Sequence, residues 1–365
     1  MSRGIVIFPL LGIVYKRSGF KFSFSDFHSS PKYSANFSCA ATYAANNPTE
    51  DRYISWHSPT TSVVGVFDGH GGAQVANYVR NNIISVLESN AILDETFDIS
   101  NAESQEKIVT CFQELEDGYL RSIEDSYKLG FGAVASVGCC ALIAIRKGKH
   151  LLIANCGDCR AVLGTRMDGD NGRFHFRAVT CTNDHNCRRP EEQLKLRLQH
   201  PGESDVYVCK ANNPNACYVK RRLQLTRSIG DAYLKYPKFN APANLHKSNG
   251  RHIPEPYTPP YVSHVPELHY INLCGDDHFL ILATDGVWDF LTDKSAVEIV
   301  ASCIQDNNQS GAASVLVEKT LESAAVESGS TVDSLKEIPL GSARRRYHDD
   351  TTVVVLNLTN DSAIS

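Results

Sequence analysis

Apolar positions in this 365-residue chain fall into short runs bounded by turn residues. Thr61–Phe67, Cys139–Arg146, Leu151–Asn155, Phe279–Ala283 and Thr352–Leu358 are apolar or alternating, the pattern of strands in buried sheets. Arg146-Lys-Gly-Lys149 predicts a hairpin turn, and Met167–Gly172 predicts another between Ala161–Thr165 and Phe174–Thr180. Between these runs, Val75, Val79, Ile83 and Val86 recur at helical spacing, as do Ile108, Phe112, Leu115, Tyr119 and Ile123. Tyr236–Tyr261 holds Pro237, Pro242, Pro254, Pro256, Pro259 and Pro260 and predicts a long loop. Sequential hairpins predict antiparallel sheets with helices segregated outside them, an α+β architecture. No internal repeat or linker interrupts the pattern, so one domain is expected over residues 35–360, after a leader of residues 1–34.

Composition narrows the classes. With 42% hydrophobic and 21% charged residues the chain is globular rather than fibrous or disordered. A net charge of −5 gives no general attraction to nucleic acid or anionic lipid. The twelve cysteines are scattered and several lie in apolar runs, which suggests a reduced, intracellular protein. No apolar run reaches the roughly 18–20 residues of a membrane span. The longest, Gly4–Tyr15, lies among Arg3, Lys16, Arg17 and Lys21 and before the first acid, Asp26. That pattern fits a secretory signal or an organelle presequence, and equally an N-terminal strand or arm. The compartment (cytoplasm, nucleus or mitochondrion) stays open.

The chemistry lies in acids placed where acids are unexpected. Val63-Val-Gly-Val-Phe-Asp-Gly-His-Gly-Gly72 carries an apolar strand into Asp68 and a glycine-rich turn. Phe279-Leu-Ile-Leu-Ala-Thr-Asp-Gly-Val-Trp-Asp289 repeats the device with Asp285 and Asp289. Leu151-Leu-Ile-Ala-Asn-Cys-Gly-Asp158, His348-Asp-Asp350 and Glu50-Asp51 are further cases. Taken singly, each is also readable as a turn or a helix N-cap. Together they are carboxylates at strand ends with few fixed cations beside them, costly to desolvate unless they are paired or bind a metal. Oxygen-only ligation suits Mg²⁺ and Mn²⁺, and glycines at 69 and 71 let a backbone carbonyl face an ion. Two such ions sharing a carboxylate can activate a water and hold a phosphoryl group for attack.

In order, Glu50-Asp-Arg52, Val66-Phe-Asp-Gly-His-Gly-Gly72, Cys156-Gly-Asp-Cys-Arg160, Leu225-Thr-Arg-Ser-Ile-Gly-Asp231, Ala283-Thr-Asp-Gly-Val-Trp-Asp289 and Asp349-Asp-Thr-Thr352 resemble the motifs of the metal-dependent protein phosphatases of type 2C. Ala44-Ala-Asn-Asn-Pro-Thr-Glu-Asp-Arg52, Thr182-Asn-Asp-His-Asn186, Glu191–Gln199 with His200-Pro201, and Pro256-Tyr-Thr-Pro-Pro-Tyr261 resemble the pyruvate dehydrogenase phosphatase branch. The resemblance implies two antiparallel sheets packed as a sandwich with helices on the outer faces. It implies a monomeric serine/threonine phosphatase acting on phosphoproteins without a phosphoenzyme. Asp68 would bridge two Mg²⁺ or Mn²⁺ ions, with Glu50 and the Gly69 carbonyl on one side and Asp285 and Asp349 on the other. Asp158 and Asp289 match positions that hold a weaker third ion, and His70 matches the general acid, a role suited to imidazole. The alternatives are a silent regulatory module of the same fold and a hydrolase of small phosphate esters.

The pattern also departs from the family. Asn46 stands where many members carry a phosphate-binding arginine, leaving Asn46 and Asn47, Arg52 or another basic residue to substitute. Gly138-Cys-Cys-Ala141 replaces the usual small-residue strand motif, and Asp350 replaces an asparagine. Of two short basic clusters, Arg221 and Arg222 are read as substrate contacts and Arg344-Arg-Arg346 as a solvated face. Cys156-x-x-Cys159 has redox spacing but brackets Asp158 and lacks a helix N-terminus to lower a thiol pKa. Cys181, His185 and Cys187 invite a zinc reading but no second pair at ligand spacing follows, so all are read as ordinary thiols and a histidine.

Overall fold

The apolar runs pair into two antiparallel sheets, seen in a computed structural model that describes residues 37–168, 174–240 and 252–359. The strands are β1 (Ser38–Tyr43), β2 (Arg52–His57), β3 (Thr61–His70), β4 (Gly138–Lys147), β5 (His150–Cys156), β6 (Arg160–Asp168), β7 (Phe174–Thr180), β8 (Tyr207–Lys210), β9 (Asn213–Val219), β10 (Ile229–Gly230), β11 (Glu267–Asn272), β12 (Asp277–Ala283) and β13 (Thr351–Asn357). One sheet has the order β1-β13-β12-β6-β7 and the other β11-β5-β4-β3-β2, with β10 beside β4. β8 and β9 form a separate hairpin. The helices are α1 (Gln74–Ser89), α2 (Ala102–Lys128), α3 (Pro190–Gln199), α4 (Ala232–Lys235), α5 (Asp285–Trp288), α6 (Asp293–Gln305), α7 (Ala312–Glu327) and α8 (Val332–Glu337).

The alternation of side chains along each strand explains why these runs are apolar throughout. Val64 and Val66 of β3, Leu142 and Ala144 of β4, Leu280 and Leu282 of β12, and Val354 and Leu356 of β13 meet in one buried cluster between the sheets. The intervening Val63, Phe67, Ala141 and Ile143 pack outward with residues of α1 and α2, among them Val79, Ile83, Phe112 and Leu115. Ile281, Ala283, Val353 and Val355 do the same with Val297, Val300 and Leu316 of α6 and α7. Both faces of the central strands are therefore dry, and the predicted α+β sandwich with outer helices is the observed architecture.

Three features differ from the sequence-based expectation. β3 does not stop at Phe67: it stays paired with β4 through Asp68, opposite Cys140, and His70, opposite Gly138. The acid and the histidine are thus held by a sheet ladder rather than by a loose turn. Cys209 and Cys217, which face each other across the β8–β9 hairpin, form a disulfide, against the expectation of thiols only. The other ten cysteines are free. The proline-rich segment carries only a short 3₁₀ turn at Pro237–Phe239 among its described residues. Residues 1–34, including Gly4–Tyr15, lie outside the described residues, as does most of the predicted turn at 167–172. No helix among the described residues is long and apolar enough to cross a membrane.

Candidate metal centre

Each predicted metal ligand comes from the end of a strand. Asp68 and Gly69 close β3, and Glu50 lies just before β2. Asp158 follows β5, Asp285 opens the turn of helix after β12, Asp289 ends that turn, and Asp349 precedes β13. Oxygens of Asp68, Asp158 and Asp285 lie within 4.8 Å of one another. Gly69 is required here, because a Cβ would stand 2.6 Å from the Glu50 carbonyl oxygen. Only glycine lets β3 pass this close to the Glu50 backbone.

Electrostatics agree with the geometry. Burial pushes the Asp68 carboxyl well above the usual carboxylate range, and Asp51, Asp285 and Asp349 push it further. Asp285 is raised in the same way, by burial and then by Asp158, Asp289 and Asp349. Asp51, not among the expected ligands, is 2% exposed. It accepts a hydrogen bond from Thr284 Oγ1 at 2.9 Å through one oxygen, while the other is buried without a partner among the described residues. Burial and Asp350 push Asp51 to about 8. Clustered carboxyls that resist ionising without a cation, with an orphaned buried oxygen among them, are a donor set for a hard divalent cation, and the residues present fit such ions.

His70 has a fixed partner. Its Nε2 lies 2.7 Å from Asp231 Oδ2, which also accepts the Ser228 hydroxyl at 2.6 Å. Burial opposes the imidazolium, but Asp231 outweighs it and holds His70 above its ordinary pKa. Gly138 makes room for this pair, since a Cβ there would collide with both side chains. The Ser228–Asp231 turn rests in turn on a buried ion pair. Glu116 accepts from Lys235 Nζ at 2.9 Å and from Gly230 N at 2.8 Å. Asp231 and Ser228 belong to the Leu225–Asp231 motif, but nothing in the sequence assigned them to a histidine 161 positions away.

The expected substrate residues fare differently. Asn46 donates its amide to Asp350 Oδ2 at 3.1 Å, and Asp350 also accepts the backbone N–H groups of Ala45, Asn46 and Glu50. The unusual aspartate therefore clamps the Glu50 loop, and Asn46 is part of that clamp. Arg52 bonds Asn77 Oδ1 at 2.6 Å and the Thr49 and Asp51 carbonyls, bracing the same loop from within. Asn46, Asn47, Glu50 and Asn77 line a cavity of about 380 Å³. Arg221 and Arg222 line a different cavity of about 430 Å³ with Lys210 and Tyr218, and none of the clustered acids lines it. Arg345, expected from sequence to be solvated, is exposed and also sits 2.8 Å from Asp349 Oδ2 and 3.7 Å from Glu50 Oε2, whereas Arg344 of the same cluster is buried. Asp289 is the outlying acid, half exposed and 4.0 Å from Arg188. Asp158 is fixed by Asn186 Nδ2 at 2.8 Å and by the Cys140 thiol at 3.2 Å. The Cys156 thiol is buried and pushed to about 12, the state of an inert core cysteine.

A sheet sandwich with carboxylates gathered at its strand ends is the class of arrangement the geometry shows, and the comparisons with known proteins say which family carries it. The sequence profile described as "Protein phosphatase 2C" matches residues 24–329. "Probable protein phosphatase 2C 68" of Arabidopsis thaliana is 34% identical over 321 residues, covering 88% of this chain and 77% of its own. "Probable protein phosphatase 2C 78" of Oryza sativa subsp. japonica is 35% identical over 331 residues, covering 91% and 78%. In the solved structures, a serine-threonine phosphatase 2C from Toxoplasma gondii shares the fold at TM-score 0.60 and 18% identity, covering 88% of this chain and 94% of that one. The chain belongs to the protein phosphatase 2C family. It is a metal-dependent protein serine/threonine phosphatase. The profile match ends before Asp349 and β13, which the sheet order nevertheless seats between β1 and β12.

Proposed function

We propose that the enzyme hydrolyses phosphoserine and phosphothreonine at a binuclear Mg²⁺ or Mn²⁺ centre. Asp68 would bridge the ions, with Glu50 and the Gly69 carbonyl on one side, Asp285 and Asp349 on the other, and Asp158 with Asp289 available to a third. When bound, the ions supply an activated water and neutralise charge on the phosphoryl group. The observation that carries this reading is the convergence of Asp68, Asp158 and Asp285 within 4.8 Å, with Asp51 buried beside them. His70 gives a proton to the departing serine or threonine oxygen, and Asp231 orients the ring and stabilises its charged form. Substrates are phosphoproteins, and the chain acts as a monomer. The segments at 44–52, 182–186, 191–201 and 256–261 support membership of the pyruvate dehydrogenase phosphatase branch and leave the protein substrate open.

A leaving-group comparison tests the assignment. An alkoxide needs a proton in the transition state and nitrophenolate does not. His70→Ala should therefore slow phosphopeptide hydrolysis by about 10²–10⁴-fold and hydrolysis of p-nitrophenyl phosphate far less. Equal losses on both substrates would remove His70 as the acid and leave it a structural partner of Asp231.

A further inference from the structure

We propose that Arg345 is the phosphoryl-binding side chain of this enzyme, a reading that rests on the metal-dependent phosphatase activity above. A dianionic group drawn to an acidic mouth needs fixed donors beside the ions. Of the residues expected to supply them, Asn46 donates to the Asp350 clamp, Arg52 spends Nε and Nη1 under the Glu50 loop, and Arg221 and Arg222 line a cavity that none of the clustered acids lines. Arg160 is committed to Asp184 at 2.6 Å and Asp293 at 2.8 Å, with its plane over Trp288. Among the described acids, Arg188 pairs with the peripheral Asp289, at 4.0 Å.

Arg345 is placed differently. Its Nε and Nη2 donate to Asp349 Oδ2 at 3.2 and 2.8 Å, which pins one edge of the guanidinium. The other amino group, Nη1, lies 3.7 Å from Glu50 Oε2 and makes no hydrogen bond among the described residues. The side chain is 44% exposed, so a ligand can reach it. A guanidinium presents a planar fork of N–H donors that matches a phosphoryl group, and here part of that fork is free. The position also implies an anion. Glu50 and Asp349 are expected metal ligands, and once both hold divalent cations a guanidinium wedged between them is repelled unless a negative group joins it. A phosphoryl dianion relieves that repulsion, so the cation that partly neutralises the acids in the free enzyme becomes a substrate ligand in the loaded one.

The alternative is that Arg345 only holds Asp349 in place for the metal. Arg345→Gln and Arg345→Lys separate the two, with the full chain, saturating Mg²⁺, and inorganic phosphate as the probe. On the proposal, Arg345→Gln weakens competitive inhibition by phosphate and raises the phosphopeptide KM, each about tenfold to a hundredfold, the scale of one lost charge-assisted hydrogen bond. Phosphate should raise the melting temperature of the unaltered enzyme and not that of Arg345→Gln. Arg345→Lys, which keeps the charge and loses the fork, should recover part of the affinity. Mg²⁺ affinity measured calorimetrically without phosphate should be unchanged or tighter in Arg345→Gln, since a competing cation is removed. Phosphate inhibition and thermal protection that persist in Arg345→Gln would overturn the proposal, as would a tenfold loss of Mg²⁺ affinity with phosphate binding intact. If the unaltered enzyme shows no chelator-sensitive activity, the underlying phosphatase reading has failed instead.

Discussion

Two regions of this molecule bury acids, and they solve the problem in opposite ways. Behind the His70–Asp231 pair, Glu116 faces Lys235 at 2.9 Å, and under the proline-rich segment Glu203 faces Lys220 at 2.6 Å. All four side chains are 2% exposed or less. Lys220 also bonds Asp205 and the Pro256 carbonyl, and Tyr261 donates to Glu203, so charge and lone pairs are satisfied within the chain. At the mouth of the sandwich, Asp51, Asp68 and Asp285 have mainly one another, and Arg345 touches only the rim. An acid with a lysine beside it is a structural element. Acids left to repel one another are retained because something from outside neutralises them, and that difference separates scaffold from active centre.

The comparison breaks first at Asp68. Asp68→Asn should cut phosphatase activity by more than about tenfold, because the bridging charge is lost at constant size. Without metal the variant should be at least as stable as the unaltered chain, since a neutral amide replaces a carboxyl whose ionisation burial and its acidic neighbours oppose. Saturating Mn²⁺ should raise the melting temperature of the unaltered enzyme, by about 2.7 kcal/mol of stability at a hundredfold excess over Kd, and the variant's much less. A variant with near-normal activity, or one destabilised without metal, would erase the distinction between the regions.

The same change in the other region should have the opposite sign. Glu116→Gln strands the Lys235 ammonium in the core and should cost about 3–5 kcal/mol in urea unfolding, with or without metal. The smallest effect is one of pH. Burial opposes the Glu203 carboxylate, but Lys220, Thr258 and Tyr261 outweigh it and hold it below the usual range. A depressed folded pKa means that this stabilisation is complete above the unfolded value, about 4.3, and is lost as pH falls through the folded value. Between pH 6 and pH 3 the unaltered chain should therefore lose more stability than Glu203→Gln, as read from urea midpoints at each pH.

Much of the centre is legible in the sequence. Asp68, Asp158, Asp285 and Asp349 stand out because an acid beside an apolar strand violates the local pattern, and such violations concentrate at functional sites. Arginines 344–346 are not legible in this way. They occupy a single 3₁₀ turn, where successive side chains diverge by about 120°. Arg344 accordingly turns inward to the Lys336 and Ile338 carbonyls, while Arg345 meets Asp349 and Glu50. Composition alone makes the cluster a solvated face. The partners that Asn46 and Arg52 take are hidden from the sequence for a related reason: a polar side chain in a loop binds whichever groups the fold brings near, and here Asn46 meets Asp350 and Arg52 meets Asn77 and the loop's own carbonyls.

Local pattern along the chain is enough to specify antiparallel sheets with outer helices, dry strands and the acids at their ends, because side-chain alternation and the cost of burying charge act over a few residues. The packing of two sheets as a sandwich comes from the motif resemblance. Only the folded arrangement makes His70 answer to Asp231, lets Asp350 clamp the Glu50 loop, joins Cys209 to Cys217 and brings one arginine of three to the mouth. Each of these is a contact set by sheet register, strand crossing or the rotation of a single turn, and no local pattern encodes the far partner.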